Sequence, residues 1–144
     1  MVDKGEMKAI TRWFMVPISI AIALSTSQVA FSQTITLSPN SQPIQVSGTS
    51  GGERSDSCAG HIAAAPNHVI NVTEDADLRF VLQSQGEPVL LIRTASGQNF
   101  CVPADRYSKG KVEIPGRWPK GTYSIYVGDR ANGHHAYTLT ISRS

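Results

Sequence analysis

The chain has 144 residues, 40% of them apolar and 17% charged, with a formal net charge of +2. That length accommodates one domain and not comfortably two. The near balance of charge leaves no basic stripe to propose nucleic acid as a partner.

The first 32 residues have the three-part order of a secretory signal peptide. Lys4, Lys8 and Arg12 make a basic start, and the apolar run Trp13-Phe-Met-Val-Pro-Ile-Ser-Ile-Ala-Ile-Ala-Leu24 follows. That run is shorter than the roughly 20 apolar residues a membrane-spanning helix needs. Small residues at Ala30 and Ser32 then suit cleavage before Gln33. No later segment is long and apolar enough to span a bilayer, so the expected mature product is free of a membrane span, in a periplasm or in the medium. Cleavage there removes three of the 13 basic and two of the 11 acidic residues, leaving a nearly neutral chain.

Residues 33–42 read as an irregular leading segment, with Thr34-Ile-Thr-Leu37 pairing loosely at most. Residues 43–144 read as one β-sandwich domain. Within it, Ser47-Gly-Thr-Ser-Gly-Gly-Glu-Arg-Ser-Asp-Ser57 reads as a loop, because Gly and Ser disfavour regular structure. Beyond the loop, apolar residues recur with period two, the mark of half-buried strands. His68-Val-Ile-Asn-Val-Thr73 is the first. The next, Asp77 to Ser84, puts Leu78, Phe80 and Leu82 on one face. Pro88-Val-Leu-Leu-Ile-Arg-Thr94 is a continuous apolar run, as in a central strand covered on both faces.

Ser96-Gly97 turns the chain into Gln98-Asn-Phe-Cys-Val102, a hairpin pattern. Lys111-Val-Glu-Ile-Pro115 alternates, and Pro115-Gly-Arg-Trp-Pro-Lys-Gly121 reads as a turn. Tyr123, Ile125 and Val127 then share a face, as do Tyr137, Leu139 and Ile141 in the last strand. No stretch has helical periodicity. The expectation is an all-β, jelly-roll-like sandwich of about seven or eight antiparallel strands.

Cys58 and Cys101 are the two cysteines. In an exported chain an even pair reads as a disulfide. Closing the loop between them contributes about 4 kcal/mol in the chain-entropy model.

Several of these segments resemble one bacterial family. They are Cys58 with Gly60, Pro66, the strand Leu78-Arg-Phe-Val-Leu82, and the run from Val89 through Gly97 to Cys101. Pro119-Lys-Gly-Thr-Tyr-Ser-Ile-Tyr-Val-Gly128 and Tyr137-Thr-Leu139 complete the set. Together they resemble the pre-peptidase C-terminal-like domains over about residues 40 to 142. The resemblance implies a jelly-roll sandwich secreted with enzymes or appended to them, without chemistry of its own. Members often follow the second cysteine with paired acids suited to calcium. Here Val102-Pro-Ala-Asp105 leaves Asp105 alone, where a hard cation needs six to eight oxygens. No other cofactor is implied.

The residues that carry chemistry are sparse. His134 and His135 adjoin Asn132 and Gly133, and neighbours on an extended chain point to opposite faces, which suits no shared metal. A zinc site would need a further ligand such as His61 or Asp129. No serine lies in a Gly-x-Ser-x-Gly elbow. Binding has better material. Trp118 with Arg117 is either an exposed ring for a flat ligand or a plug folded into one end of the sandwich. Arg106 and Tyr107, beside Lys109 and Lys111, form a second polar cluster. Tyr126 points away from Tyr123 and Ile125, onto an outer sheet surface or under a covering neighbour.

The sequence therefore points to an exported, non-catalytic module contacting an extracellular polymer, a polysaccharide above all, or a secreted or envelope protein through these residues. Two alternatives stand beside it. One is a structural envelope component with no small ligand. The other is a small metal- or histidine-dependent hydrolase using His61, His134 or His135 with Asp129.

Overall fold

The computed structural model describes residues 33–144. The signal-peptide prediction falls on residues 1–32, outside the described residues. The described chain forms eleven strands: β1 (Gln33–Leu37), β2 (Ile44–Thr49), β3 (Arg54–Asp56), β4 (Gly60–Ile62), β5 (His68–Val72), β6 (Ala76–Ser84), β7 (Pro88–Thr94), β8 (Asn99–Pro103), β9 (Lys111–Trp118), β10 (Gly121–Asp129) and β11 (Ala136–Arg143).

Two sheets form a sandwich. In the larger, β10 is the hub: β7 pairs along one side, and β5 and β4 share the other. β1 and β3 continue that side, and β8 closes the opposite edge beyond β7. The smaller sheet runs β2-β11-β6-β9. Its alternating residues Leu78, Phe80, Leu82, Tyr137, Leu139 and Ile141 pack on Ile70, Leu90, Ile92, Ile125 and Val127 of the larger sheet. Every apolar face assigned from period two lies in this core.

β7 confirms the central-strand reading and explains its unbroken apolar run. Leu90 and Ile92 enter the main core, while Val89 and Leu91 join a second cluster on the outer face with Ala59, Ile62 and Tyr126. The hairpin after β7 also forms, with Gly97 at φ 93° and Thr94 N–H donating to the Gln98 carbonyl at 2.9 Å. The Cys58–Cys101 disulfide is present, Cα to Cα 6.4 Å, and ties the β3–β4 turn to β8.

Four expectations need correction. Residues 33–42 are not irregular throughout: β1 pairs with β5, in parallel, and buries Ile35 and Leu37. Parallel pairing requires a long connection, and here β2, in the other sheet, lies within it. The Gly/Ser-rich loop is in part strand. β2 runs through Gly48, where a Cβ would lie 2.6 Å from the Tyr137 hydroxyl, so the glycine makes room for a core ring. The predicted turn at 115–121 is shorter, because β9 continues through Pro115 to Trp118. β9 pairs only with β6, and such an edge tolerates proline. The strand count is eleven, since three-residue pieces such as β3 and β4 are too short to register as periodic.

Candidate functional site

β8 is an edge strand of the larger sheet and β9 an edge strand of the smaller one. Phe100 and Val102 of β8 face Ile114, Gly116 and Trp118 of β9 across a cleft of about 360 Å³, closed at one end by Thr94 and Tyr123. The walls are mainly apolar because they are the flanks of the core itself.

Trp118 anchors the cleft. It is buried, at 7% exposure, which fits the plug and not the exposed platform expected as one alternative. Its ring packs at 4.8 Å from Phe80 and meets Tyr123 edge-on at 5.3 Å. Phe100 stands edge-on at 6.2 Å and is itself 48% exposed at the mouth. The indole Nε1–H has no hydrogen-bond partner, one of two such buried side-chain atoms among the described residues. An unsatisfied buried donor costs about 1–3 kcal/mol, so its persistence calls for an explanation. The nearest atom to a Cβ built on Gly116, in the cleft wall, is this Nε1, at 3.9 Å. Tyr123 donates its hydroxyl to the Pro119 carbonyl at 2.5 Å, and burial, with Asp75 nearby, raises its pKa.

The other predicted binding residues do not gather here, Arg117 excepted. Arg117 lines the cleft and pairs loosely with Asp77 at 3.4 Å, both exposed. Tyr126 is buried at 7% on the outer face of the larger sheet, under the guanidinium of Arg93 at 5.1 Å. The covering-neighbour reading of Tyr126 is thus the correct one. Arg106 and Tyr107 lie on the loop between β8 and β9. Asp105 lies in the same loop, and its Oδ1 accepts from Tyr107 N–H at 2.8 Å. Among the described residues, no three His, Cys, Asp or Glu side chains are placed to hold a metal ion. Phe100 was missed by sequence reasoning. The available signal was its alternation with Cys101 on a strand just past a hairpin.

At another end of the sandwich, residues named for the hydrolase alternative do converge. Ser50 Oγ donates to Asp129 Oδ2 at 2.8 Å, and His135 Nδ1 contacts the same oxygen at 2.7 Å. The N–H groups of Glu87 and Ala131 bind Asp129 Oδ1 at 3.1 and 2.9 Å. His134 Nδ1 lies 2.8 Å from the Ser50 carbonyl, and His61 is the register partner of Asp129. Burial pushes the Asp129 carboxyl up, but the hydrogen bonds from Ser50, His135, Ala131 and Glu87 outweigh it and hold its pKa below the usual value.

This order differs from a nucleophilic triad, in which the imidazole bridges hydroxyl and carboxylate. Here the carboxylate is the bridge, and Ser50 and Asp129 are both fully buried. A Cβ on Gly86 would lie 2.4 Å from both Asp129 Oδ2 and His135 Nδ1, so the glycine backbone packs closely over the carboxylate. The cluster is a polar staple joining three loops.

No family model matches the chain. Over 135 residues it is 34% identical to an uncharacterized protein of Synechococcus elongatus, an alignment covering 90% of this chain and 95% of that protein. Among solved structures it is similar to the pre-peptidase C-terminal domain of a collagenase from Bacillus anthracis. The TM-score is 0.54 at 14% identity, over 77% of this chain and 96% of that one. A periplasmic inhibitor of g-type lysozyme from Aeromonas hydrophila matches at a TM-score of 0.40 and 13% identity, over 79% of this chain and all of the other. The chain belongs to the family of the Synechococcus elongatus protein, on the fold of the pre-peptidase C-terminal domain.

Proposed function

We propose that this protein is an exported, non-catalytic module that binds another secreted or envelope protein through the cleft between β8 and β9. The unpartnered Trp118 Nε1–H beside that cleft carries the reading. A ligand that places an apolar group between Phe100 and Val102 would cover the exposed ring, and an acceptor brought to the indole, whose Nε1 is closed to solvent in the free protein, would supply what that protein lacks. Rigid aromatic anchors in a desolvated pocket are the usual hot spots of protein recognition. The disulfide and the basic-then-apolar N-terminus both suit an oxidising compartment. The packing of Ser50 and Asp129 supports a non-catalytic role, since neither is accessible.

The test is capture of envelope and secreted protein fractions, beside insoluble polysaccharides, by the disulfide-bonded protein and by a Gly116→Leu variant. That variant fills the cleft beside Trp118 without a clash, because a Cβ at Gly116 meets only Trp118 Nε1 within 4 Å, at 3.9 Å. Specific protein capture that fails with Gly116→Leu, together with a shift in Trp118 fluorescence, is the expected result. Capture that is indifferent to Gly116→Leu sinks the cleft as the binding site.

A further inference from the structure

We infer that this protein carries a second, independent site, on the loop between β8 and β9, for a uronate-bearing polysaccharide. The loop displays Tyr107 at 85% exposure, more open than any other large hydrophobic side chain among the described residues. Yet the loop is not slack. Tyr107 N–H is held by Asp105 Oδ1 at 2.8 Å, and the Asp105 carbonyl accepts from the Ser108 N–H and hydroxyl at 3.3 and 3.0 Å. At its far end, Gln83 Nε2 donates to the Lys109 carbonyl and Ser84 N–H to the Gly110 carbonyl, each at 2.9 Å. Lys109 is the one non-glycine residue with positive φ among the described residues, at 55°. An extended aromatic on a pinned loop loses little entropy when a ligand stacks on it.

Arg106 and Lys109, on either side of Tyr107 in sequence, line an open cleft of about 780 Å³ together with Arg130, Glu87 and Asp105. None of the three cations forms an ion pair with a described carboxylate; Arg130 Nε donates to the Cys58 carbonyl at 3.2 Å. Three cations thus face two carboxylates, one of them Asp105, which the sequence resemblance offered to calcium, so the cleft has a net positive lining that complements an anion. Its lining is about half polar where the Trp118 cleft is mostly apolar, which suits a hydroxyl-rich chain better than a peptide's apolar side chains. A sugar ring stacks its C–H face on tyrosine, while its carboxylate reaches guanidinium and ammonium groups.

The test uses affinity electrophoresis of the protein produced from its full reading frame in an exporting host. The gels contain polygalacturonate, its methyl ester, or polyglutamate. Retardation by polygalacturonate, weakened by salt and absent with the ester, is the expected result. Tyr107→Ala and an Arg106→Gln/Lys109→Gln double variant each reduce the affinity about fivefold or more, Tyr107→Phe preserves it, and Gly116→Leu leaves it unchanged. All four positions are exposed, so the fold survives these changes. Absence of retardation overturns the inference. So does equal retardation by polyglutamate that ignores Tyr107→Ala, which is charge attraction alone. Loss of binding in Gly116→Leu assigns the polymer to the other cleft, and calcium binding abolished by Asp105→Asn makes the loop a cation site.

Discussion

Ser50 Oγ donates to Asp129 Oδ2 at 2.8 Å across 79 residues of sequence, and both side chains are fully buried. The bond joins the segment after β2 to the end of β10, and His135 completes it from the start of β11. Asp129→Asn therefore leaves buried donors without a carboxylate and costs about 3 kcal/mol. Ser50→Ala costs about 1–3 kcal/mol by the same reasoning. His135 is a third exposed, so His135→Ala costs less than about 1 kcal/mol. Urea denaturation of the three variants ranks them, and a His135→Ala cost equal to that of Asp129→Asn contradicts the staple.

Acid weakens the fold in two steps. His68 is buried and its pKa is lowered by that burial, so the unfolded chain binds a proton that the native state refuses. Stability from this group is intact above the unfolded value of about 6.5 and falls as pH drops below it. Asp129 has a lowered pKa, so its contribution is intact above about pH 4 and falls as pH drops further. Melting temperature between pH 8 and 2 should show both declines, with the lower one reduced in Asp129→Asn and not abolished, because backbone hydrogen bonds from Ala59 and Cys58 also lower the pKa of Asp56.

Alkali acts through Tyr137, whose hydroxyl lies 2.7 Å from His68 Nε2. Burial pushes its pKa up to about 12. The unfolded tyrosine ionises near 10, so on the order of 2 kcal/mol is lost as pH rises from about 10 to 12. Tyr137→Phe removes that loss, which denaturation midpoints at pH 8 and 11 will detect.

Two glycines on the opposite edge strands of the smaller sheet, Gly48 in β2 and Gly116 in β9, should respond differently to a side chain. Gly48→Ala drives a Cβ to 2.6 Å from the Tyr137 hydroxyl and costs about 1–3 kcal/mol. Gly116→Leu makes only an ordinary contact, its Cβ 3.9 Å from Trp118 Nε1, and stays within about 0.5 kcal/mol of the parent. Denaturant midpoints compare them directly.

Trp118 tests its own unpaired nitrogen. Trp118→Ala empties a core position beside Phe80 and Tyr123 and costs about 3–5 kcal/mol. Trp118→Phe keeps a ring while removing the unsatisfied donor, and costs about 1 kcal/mol or less. A Phe variant as unstable as the Ala variant means that Nε1 has a partner after all.

Period-two alternation by itself determined the core faces of β6, β10 and β11, because a pleated strand sends neighbouring side chains to opposite sides whatever lies across from them. The unbroken run Val89-Leu-Leu-Ile92 likewise implied a strand covered twice, and Ser96-Gly97 a hairpin, since both are local properties. The pairing of Cys58 with Cys101 followed from there being only two cysteines. The cleft and the staple were not legible in this way. Phe100 and Trp118 meet only because β8 and β9 end up as edge strands of different sheets. Gly48 reads as a loop former until Tyr137 is placed against it. Ser50, Asp129 and His135 are unremarkable polar residues until three loops converge and water is excluded from between them. Each depends on which distant segment becomes a neighbour, and that is settled by packing the two sheets together, not by any local pattern along the chain.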